Sequence, residues 1–171
     1  MGLSEKIDVS SDDPEIVAAG EAHLHRCLEF LGDAVGTHLV GVIYSAMRKY
    51  MAPATQTNRQ HSIDAIGRLS TRAAELDIRI AIEVVNRYES NLLNTARQAV
   101  RYIEDAAAEN LLVHLDTYHM NIEEPDMFAR DTEPRVCGRG RAGGPDLGGA
   151  PSRERRHCAG SKHQTVARSL P

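Results

Sequence analysis

The strongest constraint on the fold is a pattern that begins near residue 11, in which an amphipathic helix is followed by a short run of apolar residues. The segment SDDPE (11–15) predicts a helix start, because Ser and Asp cap helices and proline needs no N–H partner in the first turn. Apolar residues at steps of three and four from Val17 to Val35 predict the helix, and Gly36 predicts its end. The apolar run at 39–43 then predicts a strand buried on both faces.

The same order occurs twice more along the chain. Helix patterns at 63–76 and 92–107 precede apolar runs at 78–83 and 111–116. Strands that alternate with helices are normally parallel and joined by right-handed crossovers. The sequence therefore predicts an α/β fold with parallel strands and outer helices. The periodicity fits a doubly wound sheet and a section of a TIM (β/α)8 barrel equally well, and the 171 residues are too few for a complete barrel of about 250 residues.

Composition divides the chain near residue 130. The segment 131–171 has eight Lys and Arg against four Asp and Glu, seven of the 13 glycines, and no Ile, Phe, Tyr or Met. Such a segment cannot bury a core, so we predict a folded domain at 1–130 and a Gly/Arg/Pro-rich tail at 131–171 that is disordered or translated out of frame. The tail arginines lack interleaved aromatic residues, which argues against a nucleic-acid partner.

Cysteine content and hydropathy predict a cytoplasmic protein without a membrane partner. The chain has no apolar run of about 18 residues and no signal-peptide core at its start. Its cysteines, Cys27, Cys137 and Cys158, are odd in number and lack the Cys-x-x-Cys spacing of a zinc knuckle. Cys27 is interpreted as a small core residue.

Candidate functional residues follow the second and third predicted strands, in EVVNRYESNLLNT (83–95) and HLDTYHMNIEEPD (114–126). Glu83 and Asp116 each end an apolar strand, where a buried charge is costly unless it is paired or bound to a metal. Strand alternation places Glu83 on the same face of its strand as Ala81, and Asp116 on the same face as Leu112 and His114. If that face is the barrel interior, both carboxylates point into the mouth at the carboxyl end of the strands, where α/β proteins bind ligands.

Glu83 and Asp116, with His119 nearby, form a set of ligands that suits Mg²⁺ or Mn²⁺ better than zinc or copper. A structural alternative pairs Glu83 with Arg79 or Arg87. Glu89 and His119 also have a structural interpretation, as solvated side chains in loops. His114 is expected to be a satisfied interior histidine or a hydrogen-bond partner of a ligand.

The two polar motifs, preceded by THLVGVIYSAMRKY (37–50), resemble the D-tagatose/D-psicose (allulose) 3-epimerase family of the xylose isomerase-like TIM barrels. The resemblance covers about residues 1–128. It implies a barrel and not a doubly wound sheet. It also implies an isomerase that epimerises C3 of a small-molecule ketose, and homo-oligomers in the full-length family.

The resemblance assigns roles residue by residue. It implies a divalent metal, Mn²⁺ before Mg²⁺ or Co²⁺, held by four ligands of which Glu83 and Asp116 match the first two. Glu83 also matches one of the two acid/base carboxylates, and Glu89 and His119 match residues that hydrogen-bond the ketose. Removal of the proton beside the ketone gives an enediolate, and inversion needs a carboxylate on each face.

The sequence departs from the family where the later metal ligands should be. Motifs resembling HIGESHR and FES, which supply the family's third and fourth ligands, have no match in 131–171. The family's first strand and most of its second would precede Met1, which makes residues 2–8 the loop leaving the second strand. We therefore expect the third to fifth β/α units, a weakly held metal and an inactive chain. The alternatives are another enzyme of the superfamily, of hydroxypyruvate isomerase or inosose dehydratase type, and a non-catalytic remnant or binding module.

Overall fold

The computed structural model describes residues 1–125, so the predicted tail at 131–171 lies outside the described residues. The strands and helices follow one another as β1 (Gly2–Leu3), α1 (Pro14–Asp33), β2 (His38–Ala46), α2 (Gln56–Glu75), β3 (Arg79–Val84), α3 (Ala96–Ala106), β4 (Leu111–Leu115) and α4 (Thr117–Glu123), with a short 3₁₀ helix at Glu5–Ile7.

The strands form one four-stranded sheet in the order β1-β2-β3-β4, and every neighbouring pair is parallel. A helix separates each strand from the next, as the alternating sequence pattern predicted. The predicted α/β fold with parallel strands and outer helices is therefore confirmed.

The first residues were predicted as a loop, and this was wrong for Gly2 and Leu3. Gly2 pairs with Val42 in β2, the amino terminus of Met1 donates to the Val40 carbonyl at 3.1 Å, and the Met1 carbonyl accepts from the Val42 N–H at 2.8 Å. Exposed donors and acceptors along the edge of β2 give this short segment partners, so it becomes a strand.

Side-chain caps set the helix boundaries. Asp13 accepts a hydrogen bond from the Glu15 N–H at 2.9 Å, which confirms the predicted start of α1. Thr55 and Asn58 form a capping box that starts α2 seven residues before the apolar pattern indicated. A second capping box, at Thr95, starts α3 later than predicted.

The core lies between the helices and one face of the sheet. Leu24 of α1 and Ile66 of α2 are fully buried with Ile80 and Ile82 of β3. Cys27 packs against this core, as predicted. The alternate positions of β3, which include Glu83, point to the opposite face of the sheet.

The helices of residues 1–125 include none with the length and hydropathy needed to cross a membrane.

Candidate metal centre

Adjacent strand ends bring Glu83 and Asp116 together. Glu83 lies in β3 directly opposite His114 of β4, and Asp116 follows the last residue of β4. Asp116 is also the N-cap of α4, since its Oδ1 accepts from the Tyr118 N–H at 2.7 Å. The cap occupies one carboxylate oxygen and leaves Oδ2 for another partner.

Glu83, Asp116 and His119 form a cluster that could hold a metal ion. One ligand atom from each of the three side chains lies within 4.8 Å of the others. The two carboxylates are half-buried, whereas His119 is 7% exposed. Carboxylate oxygens with an imidazole nitrogen are a donor set that fits Mn²⁺ or Mg²⁺.

The structural alternative for Glu83 depended on an arginine partner, and Arg87 binds Glu123 instead. Arg79 lies at the opposite end of β3. Among residues 1–125, the Glu83 carboxylate neither accepts a hydrogen bond nor forms an ion pair. A half-buried carboxylate without a protein partner is consistent with a cation ligand.

Glu89 and His119 also meet at this edge of the sheet. His119 Nε2 lies 4.0 Å from Glu89 Oε2. Glu89 lies in the turn after β3, but the expectation that His119 lies in a loop was wrong, because the Asp116 cap starts α4 and places His119 inside this helix. The two residues predicted to bind a ketose are therefore next to the two predicted to bind the metal.

Asn86 is a residue of this site that sequence reasoning missed. Its side-chain nitrogen and its backbone nitrogen lie 2.9 Å and 3.2 Å from His119 Nδ1. Asn86 stands in the motif that carried the family resemblance, but its partner is 33 residues away in the sequence. The sequence showed only that Asn86 is a polar residue just after a strand, which did not indicate His119 as its partner.

Two glutamates at the end of α4 bind the loop after β3 and the start of α3. The carboxylate of Glu123 accepts from the backbone N–H of Arg87 at 2.7 Å and from its guanidinium at 2.8 and 2.7 Å. Glu124 accepts from the Ala96 N–H at the start of α3, at 2.8 Å. These bonds hold the helix that carries His119 against the loop that carries Glu89.

The ring of His114 was expected to have its hydrogen bonds satisfied, and this was wrong for Nδ1. Its Nδ1 is buried, and no described residue offers it a hydrogen-bond partner. His114 is the register partner of Glu83 across the strands, so its side chain lies on the same face of the sheet as this candidate metal ligand.

A family profile described as xylose isomerase-like TIM barrel matches residues 1–156. The chain belongs to the xylose isomerase-like TIM barrel family. Periodicity fitted both a doubly wound sheet and a section of a TIM barrel. Membership of this family shows that the chain is part of a barrel.

Two relatives of this chain share its sequence over about three quarters of its length. The ketose 3-epimerase of Arthrobacter globiformis is 54% identical over 129 residues, which are 75% of this chain and 45% of the relative. The L-ribulose 3-epimerase of Methylomonas sp. is 46% identical over 127 residues, or 74% of this chain and 44% of the relative. The chain thus spans less than half the length of these relatives.

Solved structures agree with the architecture. The D-allulose 3-epimerase from Methylomonas sp. in complex with D-allulose superposes with a TM-score of 0.73 at 46% identity, over 74% of this chain and 44% of that one. A structure of L-ribulose 3-epimerase gives a TM-score of 0.72 at 35% identity, over 73% and 42% of the two chains.

Proposed function

We propose that this chain carries part of a ketose 3-epimerase site, in which Glu83 and Asp116 bind a divalent metal and Glu89 and His119 bind the ketose. The observation that carries the proposal is the convergence of Glu83, Asp116 and His119 within 4.8 Å at the strand ends. The names of the relatives support the epimerase branch over the hydroxypyruvate isomerase and inosose dehydratase alternatives.

The chemistry explains why these residue types are needed. Epimerisation at C3 removes the proton from a carbon beside a ketone, and Glu83 supplies a carboxylate base at this position. A bound divalent metal supplies positive charge that stabilises the negative charge developing on the ketone oxygen. Glu89 and His119 orient the sugar by hydrogen bonds, so that the C3 proton faces Glu83.

Inversion also needs a second base on the opposite face of the sugar. Glu83 serves one face only, and the chain spans less than half of its epimerase relatives. We therefore expect this polypeptide to bind Mn²⁺ weakly and to lack epimerase activity by itself. Manganese is proposed before Mg²⁺ or Co²⁺, as the family resemblance implies, and the carboxylate oxygens of Glu83 and Asp116 suit such divalent cations.

Metal binding tests the first part of the proposal. Titration of the chain into Mn²⁺, followed by the loss of the electron paramagnetic resonance signal of free Mn²⁺, measures the affinity. Glu83→Gln and Asp116→Asn should each weaken binding by about tenfold or more, because each removes a charged ligand. Asparagine remains a good N-cap, so Asp116→Asn keeps the start of α4.

Glu75→Gln is the matched control, because Glu75 is an exposed carboxylate paired with Arg72 at the end of α2. It should leave the Mn²⁺ affinity unchanged. Equal affinity in the wild type, Glu83→Gln and Asp116→Asn would refute the assigned metal ligands.

Product analysis tests the expected inactivity. The chain is incubated with Mn²⁺ and D-fructose or D-tagatose, and the sugars are separated by chromatography. We expect no C3 epimer above the protein-free control. Formation of an epimer that Glu83→Gln abolishes would show that the chain is active and would overturn the expectation.

A further inference from the structure

We propose that Asn86 is a positioning residue that fixes His119 in the tautomer with its proton on Nε2, so that an N–H donor faces Glu89 and the sugar. The assignment of a sugar to this side of the ring rests on the proposed function. The tautomer itself follows from hydrogen bonds within the chain.

The backbone of Asn86 gives the first argument. Asn86 is 2% exposed and lies just beyond the end of β3. Its backbone N–H is 3.2 Å from His119 Nδ1 and can only donate. A nitrogen that accepts this bond cannot carry a proton of its own.

The side chain of Asn86 gives the second argument. Its Oδ1 accepts from the Tyr88 N–H at 2.9 Å, which fixes the orientation of the amide group. Its Nδ2 therefore faces His119 Nδ1, at 2.9 Å, as a second donor. Two donors directed at Nδ1 leave a neutral imidazole only the tautomer with the proton on Nε2.

The tautomer determines what His119 can do. Nε2 lies 4.0 Å from Glu89 Oε2, so its N–H is directed to the Glu89 side of the site. A protonated ring nitrogen donates hydrogen bonds and cannot bind a metal, because a metal takes the lone pair. Although the ring lies within 4.8 Å of the Glu83 and Asp116 ligand atoms, His119 is therefore a hydrogen-bond donor, and the two carboxylates are the metal ligands.

Asn86 also has a structural role, which the test must separate from this one. Its carbonyl accepts from the N–H groups of Glu89 and Ser90 at 3.0 and 3.2 Å, and its Oδ1 holds Tyr88. Asn86→Asp keeps the backbone carbonyl and the oxygen that binds the Tyr88 N–H. It replaces the donor facing Nδ1 with a charged carboxylate oxygen, which binds a proton on Nδ1 more strongly than the longer backbone N–H contact, at 3.2 Å, binds the Nδ1 lone pair, and so favours a proton on Nδ1.

The experiment is nuclear magnetic resonance of the full chain with ¹⁵N-labelled histidine, at mildly alkaline pH and without metal or sugar. Correlations between the ring nitrogens and the carbon-bound ring protons show which nitrogen carries the proton, and His119→Gln assigns the His119 signals. In the wild type we expect unprotonated Nδ1 and protonated Nε2. In Asn86→Asp we expect the Nδ1 signal to move to the range of a protonated nitrogen.

Asn91→Asp is the matched control, because Asn91 lies in the same loop and its side chain donates to the Ala52 carbonyl at 2.9 Å. It should leave the His119 signals in place. Asn86→Ser is a second variant that removes the amide donor without adding charge, and it should increase the fraction with the proton on Nδ1.

A proton on Nδ1 in the wild type would overturn the proposal without any variant. Unchanged His119 signals in both Asn86→Asp and Asn86→Ser would also overturn it, since the side chain would then not determine the tautomer. Because the samples contain neither metal nor sugar, these outcomes are independent of metal binding and epimerisation.

Discussion

Arg87 and Glu123 are joined by three hydrogen bonds, of which one comes from the Arg87 backbone and two from its guanidinium. The side chain of Glu123 is only 6% exposed, whereas that of Arg87 is 62% exposed. The ion pair connects the loop after β3 to α4, and thus the segment with Glu89 to the segment with His119. The geometry of the candidate site therefore depends on a contact outside it.

Because of this ion pair, we expect the folded chain to lose part of its stability at acidic pH. The hydrogen bonds from Arg87 lower the pKa of Glu123 in the folded chain. The carboxylate thus contributes stability above the ordinary glutamate pKa of about 4.3, and this contribution is lost as the pH falls through the lower folded pKa. Glu123→Gln should lower the melting temperature at neutral pH by a few degrees. Below about pH 4.3, the melting temperature of this variant should decrease less with falling pH than that of the wild type.

Thermal melts from pH 7 to pH 3, compared with the exposed control Glu75→Gln, measure the effect. A pH dependence in Glu123→Gln identical to that of the wild type would contradict the prediction.

Two glycines should respond to alanine in opposite directions. Gly41 has φ +148°, and a Cβ there would overlap the Met1 carbonyl that pairs with β2. Gly41→Ala should therefore cost about 2 kcal/mol or more in the free energy of unfolding. Gly67 lies within α2 and has no atom within 4 Å of an added Cβ, so Gly67→Ala should stabilise by about 0.5–1 kcal/mol.

Urea unfolding of both variants measures this difference. Equal free energies of unfolding for Gly41→Ala and Gly67→Ala would show that β1 does not pack on β2 as described.

A buried polar network joins α2, α3 and β2. Ser62 donates to the Tyr44 carbonyl at 2.6 Å, so the Tyr102 hydroxyl donates to Ser62 Oγ at 2.7 Å. Burial raises the pKa of Tyr102, which keeps its hydroxyl protonated as this donor. Ser62→Ala should cost about 1–3 kcal/mol, because it leaves a buried hydroxyl and a buried carbonyl without this partner.

A double-mutant cycle with Tyr102→Phe tests the coupling. Removing both partners should cost less than the sum of the two single variants, as expected for groups that satisfy each other. Additive losses in urea unfolding would mean that the two hydroxyls do not interact.

Sugar binding should depend on Glu89 separately from metal binding. If the proposed function is correct, D-allulose raises the melting temperature of the wild type in the presence of Mn²⁺. Glu89→Gln should abolish this rise and keep the shift caused by Mn²⁺ alone, because Glu89 contacts His119 and is not a member of the metal cluster.

Glu109→Gln, an exposed change before β4 and at the opposite end of the sheet, is the control for the sugar experiment. A rise with D-allulose that is equal in the wild type and Glu89→Gln would refute the role of Glu89.

The sequence alone determined the order of helices and strands and the meeting of Glu83 and Asp116. Both depend on short-range patterns: apolar spacing follows the period of each element, and parallel strands all end at one edge of a sheet. The resemblance supplied the barrel, because alternation also fits a doubly wound sheet.

Boundaries and partners required the tertiary structure. Leu92 and Leu93 continue the apolar pattern of α3, yet they are buried ahead of it, because the Thr95 capping box starts the helix at Ala96. Apolar spacing reflects burial alone, so a buried loop and the buried face of a helix give the same sequence pattern.

The partners of Arg87 and His119 are 36 and 33 residues away in the sequence. Only the packing of α4 against the loop after β3 decides that Arg87 binds Glu123 and leaves Glu83 without an ion pair among residues 1–125. The same packing places Asn86 against His119 Nδ1. The sequence by itself therefore determined that Glu83 and Asp116 gather at the strand ends. The tertiary structure added Asn86 and decided how these side chains are oriented, because hydrogen bonds between distant segments form only after the sheet and its helices have come together.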